Sequence, residues 1–140
     1  MDYEAVNKLK WNIIEQVYAA QKKETFSLAA YKSFYKNNEH WLIPYAAFCY
    51  YRDVYRTSDF NHWSSNKNYN ADEAAVLFKN KETADAVLIH CFVQFHLHIQ
   101  LQQAAAYAHE NGIIIKGDIA IGIYRYGADA WQHPELFHMD

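Results

Sequence analysis

Residues 86–109 form a run of 24 positions without a single Asp, Glu, Lys or Arg. Leu88, Phe92, Phe95 and Ile99 recur within it every three or four residues, so the run reads as a helix and not as a strand. A helix in water that carries no charge must be covered over most of its surface. Four His and four Gln interrupt the run, and such side chains are costly in lipid, which excludes a membrane span. The helix predicted over 84–111 would run roughly 40 Å. The shorter helices before it are barely long enough to cover that length, so further partners for it are expected.

The residues after this helix sharpen that expectation. Gly112 is placed to supply a left-handed stop. Ile113, Ile114 and Ile115 then make a continuous β-branched run, of the kind found in strands buried on both faces of parallel sheets. A helix, a glycine turn and a buried strand are half of a βαβ unit. No second strand pattern occurs, and a lone parallel strand leaves its backbone groups unpaired. The expected fold is therefore mainly α, with about five helices plus one buried strand, and not a self-sufficient α/β domain. Residues 1–80 read as a helical subdomain, and 81–140 as the long helix, the strand and a polar, aromatic loop.

The first half supplies four of those helices. Over 3–22, Val6, Leu9, Ile13 and Val17 form one apolar row, and Trp11, Ile14 and Tyr18 a second beside it. Lys22 and Lys23 suit the negative end of that helix. Ser27 is a candidate N-cap for a helix ending at Asn37 and Asn38. A third helix, over 41–55, takes Pro44 in its first turn, where the missing N–H costs little. A polar loop over 57–70 precedes a short helix over 71–79.

Bulk properties exclude several function classes. A net charge of −3 gives no electrostatic footprint for nucleic acid, and no Lys/Arg cluster suggests an anionic membrane. Cys49 and Cys91 lack metal-ligand spacing and fit free thiols of a reducing compartment. The N-terminus lacks the basic-then-apolar layout of a signal peptide, so the cytoplasm is the expected location. Aromatic residues make up 17% of the chain. Most of them, Tyr31, Phe34 and Tyr35 included, fit half-buried helix packing.

Few side chains can carry chemistry. His96 and His98 are two apart on a helix and so lie on nearly opposite faces, which separates them as metal ligands. No glycine-framed serine or placed cysteine–base pair is evident. Gly117, Gly122 and Gly127 do not open a helix, so the dinucleotide fingerprint fails. Carboxylates remain. Asp118 stands where the apolar run gives way to polar residues, either as a site group or as a loop anchor accepting backbone N–H bonds. Asp129, Trp131 and Glu135 come next, and Trp131 either stacks on a sugar or closes the rim of a larger fold. An aromatic surface around Trp63, Tyr69 and Trp131 is a further candidate for stacking on a sugar. Glycosidic transfer with retention needs two carboxylates roughly 5–5.5 Å apart, and nothing in the spacing fixes such a pair.

Two stretches carry a family resemblance. Phe95, His96, Leu97, His98, Ile99, Gln100 and Leu101, continuing through Ala104 to Ala108, form the first. The second begins at Lys116, Gly117, Asp118 and runs through Gly122, Asp129, Trp131, Pro134, Leu136 and Phe137. Together they resemble the 4-alpha-glucanotransferases, the amylomaltase or disproportionating-enzyme family, around the third strand of a (β/α)8 TIM barrel. Tyr124, Arg125, Tyr126 and Gly127 resemble the larger bacterial and plant members.

The resemblance implies a retaining transfer of glucosyl or maltosyl units between alpha-1,4 glucans, with no metal or organic cofactor. It implies that Asp118 shapes the donor site without being the nucleophile, with Trp131 as a second substrate contact. The family's nucleophile, acid/base and third carboxylate motifs lie on later strands and have no counterpart in this sequence. Ala120 stands where the family has Pro, and Gly127 replaces a frequent Ser. The expectation is a fragment, with no catalytic residue of its own, that lacks the remainder of the barrel and is inactive alone. Its substrate partner would be an alpha-1,4 glucan or maltooligosaccharide. The alternative is a non-catalytic helical module, derived from such an enzyme, that buries its uncharged helix by forming a homo-oligomer.

Overall fold

The computed structural model describes residues 2–118 and 122–138. Five α-helices occur among them: α1 (Tyr3–Ser27), α2 (Ala29–Tyr55), α3 (Ala71–Lys79), α4 (Ala84–Glu110) and α5 (Ala128–Gln132). Two 3-10 turns, Phe60–His62 and Pro134–Leu136, complete the regular structure. No helix among the described residues is long and apolar enough to cross a membrane.

Asp2 starts α1 by accepting the backbone N–H groups of Glu4 and Ala5 at 3.1 and 3.0 Å. The helix runs five residues past the expected end, which moves Ser27 from cap to last turn. There its hydroxyl donates to the Glu24 carbonyl at 2.6 Å. Leu28 alone separates the first two helices, with ψ 136 turning the chain. Lys22, no longer near a helix end, reaches across to Asp85 in the first turn of α4.

α2 joins what sequence pattern divides into two helices. Asn38 does not stop it, because its side chain is used within the helix. Its amide donates to the Phe34 carbonyl at 2.7 Å, and its carbonyl accepts the Trp41 indole N–H at 2.9 Å. Pro44 consequently falls in the helix interior. That position costs about 3 kcal/mol in an exposed helix. Here it is buried amid Leu42, Ala46, Ala47, Phe48 and Cys49, and their packing offsets the cost. Arg56, at φ 57, ends the helix.

α2 is the hub of the core, in contact with each of the other four helices. Tyr31, Phe34 and Phe95 form one buried cluster, with ring centroids 5.3 and 5.6 Å from Phe95. From α4 the core takes Val87, Cys91 and Phe95. The other half of α4 is bare: Leu97, Leu101 and Tyr107 are exposed. In α1, the row of Trp11, Ile14 and Tyr18 turns inward, whereas Val6, Leu9, Ile13 and Val17 remain exposed. The far half of α4, expected from the sequence to need further partners, and the outer row of α1 thus remain largely uncovered among the described residues.

The strand is the main correction. α4 does end as expected on Gly112, at φ +73. Ile113 N–H donates to the Ala108 carbonyl and Gly112 N–H to the His109 carbonyl, at 2.9 and 3.0 Å. This is the double bond of a Schellman stop. Beyond it, no strand forms among the described residues, and Ile113, Ile114 and Ile115 are exposed. A strand needs a neighbour for its backbone groups, and the described residues offer none. The barrel segment implied by the resemblance is accordingly not formed among them. Ile119, Ala120 and Ile121, the rest of that expected strand, lie outside the described residues.

Candidate functional site

The loop after Arg56 and the C-terminal segment are built as one piece. Asp59 caps the first 3-10 turn through the Asn61 N–H at 3.1 Å, and Trp63 donates its indole N–H to the Thr57 carbonyl at 2.9 Å. Asn66, at φ 59, then adopts the left-handed conformation that Asn tolerates better than most residues. Its side chain accepts the Tyr55 hydroxyl at 3.2 Å and donates to Glu73 of α3 at 2.7 Å. Its carbonyl accepts the Trp131 indole N–H at 2.9 Å, across 65 residues of sequence.

Trp131 is therefore an anchor. It is 2% exposed, with Tyr69 at 5.2 Å, Phe48 at 5.8 Å, Trp63 at 5.9 Å and Tyr51 at 6.0 Å. As folded, it offers no ring face to a ligand. The aromatic surface expected around Trp63, Tyr69 and Trp131 is a core cluster, with Trp63 only 1% exposed. The sequence brings these three rings together but turns them inward, because α2 presents Phe48, Tyr51 and Tyr55 to receive them.

Asp118 stands elsewhere, exposed in the irregular segment after the α4 stop. Asp129 opens α5 and is exposed, as is Glu135 in the second 3-10 turn. Glu135 pairs with His133 at 3.0 Å. Its carboxyl lies below the usual range because a backbone hydrogen bond, and then His133, favour the charged form. Cys91 is no nucleophile, since burial pushes its thiol up to about 12.

Three of the four histidines of α4 pack against aromatic rings. His96 lies 4.3 Å from Phe92, and His98 lies 5.0 Å from Phe34. His90, 4% exposed, sets its edge against Trp11 at 5.5 Å and its Nε2 3.6 Å from Asp53. Burial alone would raise the Asp53 carboxyl, but the nearby His90 imidazole and the Arg52 guanidinium, which donates to it at 2.8 Å, hold it below the usual value. These groups line a hollow of about 470 Å³ with Glu15, Asp85 and the apolar Ala86 and Ile89. Sequence reading missed both this hollow and the Asn66–Trp131 link. Each depends on contacts between segments far apart in the chain, which no local pattern encodes.

The architecture is that of a helical unit carrying an anchored loop, and its sequence places it among carbohydrate-active enzymes. The family model of glycoside hydrolase family 77, 4-alpha-glucanotransferase, matches residues 1–140. The chain belongs to this family. It is 36% identical over 141 residues to the 4-alpha-glucanotransferase DPE2 of Oryza sativa subsp. japonica, covering 100% of this chain and 15% of that protein. The 4-alpha-glucanotransferase of Synechocystis sp. is 28% identical over 143 residues, and that of Thermus thermophilus 27% over 142. Each of these two alignments covers 100% of this chain and 28% of the relative. The chain thus spans 15% to 28% of the length of these curated relatives. No solved structure matches significantly.

Proposed function

We propose that this chain is one segment of a retaining 4-alpha-glucanotransferase, acting on alpha-1,4 glucans such as maltooligosaccharides. The observation that carries this reading is a family match over the whole chain, 1–140, joined to coverage of at most 28% of the rice, cyanobacterial and Thermus relatives. Asp118, exposed on the segment after α4, is assigned to the donor site as a hydrogen-bonding group for sugar hydroxyls. Trp131 supports the site indirectly, by pinning the loop that follows Asp118.

The bare faces of α1 and α4 agree with this reading. Ile13, Val17, Phe92, Val93 and Leu97 border an apolar groove of about 290 Å³ between the two helices. In the proposed enzyme the remainder of the barrel covers it and pairs with the isoleucine run at 113–115. The nucleophile and acid/base carboxylates belong to that remainder, so the 140-residue chain alone is inactive. Incubation of the pure chain with maltotriose, read by chromatography of the sugars, is expected to yield neither glucose nor longer glucans. Accumulation of both above a buffer control would overturn the assignment of catalysis to residues beyond this chain.

A further inference from the structure

Because the core holds Trp131, a sugar reaching the loop beyond Asp118 must meet another ring. The exposed aromatic side chains among the described residues are Tyr3, Tyr107 and Tyr124. Tyr3 opens α1 and Tyr107 lies near the end of α4. Tyr124 alone belongs to the C-terminal loop, and it is 66% exposed.

Its backbone is held in a hydrogen-bonded turn. Gly127 N–H donates to the Tyr124 carbonyl at 2.9 Å, closing a tight turn over 124–127. A Cβ at Gly127 would sit 3.0 Å from that carbonyl oxygen, so any larger residue there would have to shift the turn by a few tenths of an ångström. Gly127 is also the N-cap of α5, and its carbonyl accepts the Trp131 backbone N–H at 3.1 Å. A continuous set of contacts therefore joins the Tyr124 turn to the buried indole. Tyr126, half-buried, meets the Tyr124 ring in a T-shaped contact at 5.8 Å and 83°.

We propose that Tyr124 is the stacking platform of this loop for an alpha-1,4-linked glucan, a role resting on the glucanotransferase reading of the chain. A ring held on an anchored turn loses little freedom when a ligand arrives. The flat phenol covers the C–H face of a glucose ring, and its hydroxyl adds a hydrogen bond at the edge. The loop then divides its work between two rings. Trp131 fixes the backbone, and Tyr124 meets the sugar.

Titration of the 140-residue chain with maltoheptaose, followed by NMR, tests the assignment. The Tyr124 ring resonances are expected to shift on titration, while the Trp131 indole N–H stays in place. Tyr124→Ala is expected to weaken binding by about tenfold, the loss for uncovering one apolar ring face. Tyr124→Phe should stay within roughly threefold of the parent chain. Unchanged affinity in Tyr124→Ala, with a parent chain that does bind, overturns the platform and leaves the glucan reading standing. A parent chain that shows no shifts at saturating sugar removes glucan binding by this loop, and Tyr124's role with it.

Discussion

Replacing Trp131 with Ala removes the side chain on which the C-terminal segment hangs. The indole is 2% exposed and is packed against Phe48, Tyr51, Trp63 and Tyr69. Truncating a buried Trp costs about 3–5 kcal/mol through lost contacts and the cavity left behind. The Asn66 carbonyl also loses its donor at 2.9 Å, worth about 1 kcal/mol where water can replace it. The expected loss is about 4 kcal/mol, a large part of the stability of a domain this size. Trp131→Phe separates the two contributions, since it keeps an aromatic ring but loses the N–H, and should cost about 1–2 kcal/mol. Urea unfolding followed by far-UV circular dichroism measures both. A Trp131→Ala variant within about 1 kcal/mol of the parent would refute the anchor. So would equal losses in the two variants, because the ring packing would then carry nothing.

Three other outcomes are expected from the same structure. Gly112→Ala meets no atom within 4 Å but must hold φ +73, so it should cost about 1 kcal/mol through the backbone alone, read as a lower urea midpoint. Gly127→Ala adds a tight contact at 3.0 Å with a backbone oxygen, and should shift the Tyr124 and Tyr126 resonances while leaving α4 unchanged. Asp53 has a depressed folded-state carboxyl, so its contribution is complete above the ordinary value of 3.8 and is lost as pH falls below it. The stability gap between the parent and Asp53→Asn should therefore be open at pH 5 and close below about pH 4 in urea titrations.

Legibility in the sequence followed the range of the interactions involved. The span of α4 and its stop at Gly112 rest on local periodicity and one glycine, and both were readable. The two apolar rows of α1 were readable too, but which of them turns inward was not: only Trp11, Ile14 and Tyr18 do among the described residues. The break expected at Asn37 and Asn38 failed, because Asn38 satisfies Phe34 and Trp41 inside the helix where it was expected to terminate it. That local exchange turned Pro44 into an interior proline. The isoleucine run was read for its β-branched character, but strand formation depends on a neighbour, and the pattern of one segment cannot supply it. For the candidate site, Trp131 stood out by residue type, while its direction was set by Asn66 and by four rings from other segments. Tyr124 drew notice only as part of a family-like string. Its exposure became informative once Trp131 proved buried.

The most direct test of the account is a chimera. The matching segment of the Thermus thermophilus 4-alpha-glucanotransferase, 27% identical over 142 residues, is replaced by residues 1–140. Transfer between alpha-1,4 glucans is then measured with maltotriose as donor and acceptor, beside a cooperative thermal melt. The account predicts a folded chimera that transfers glucosyl units and loses most of that activity on Asp118→Ala. A cooperatively folded chimera without transfer, or one indifferent to Asp118→Ala, would contradict it.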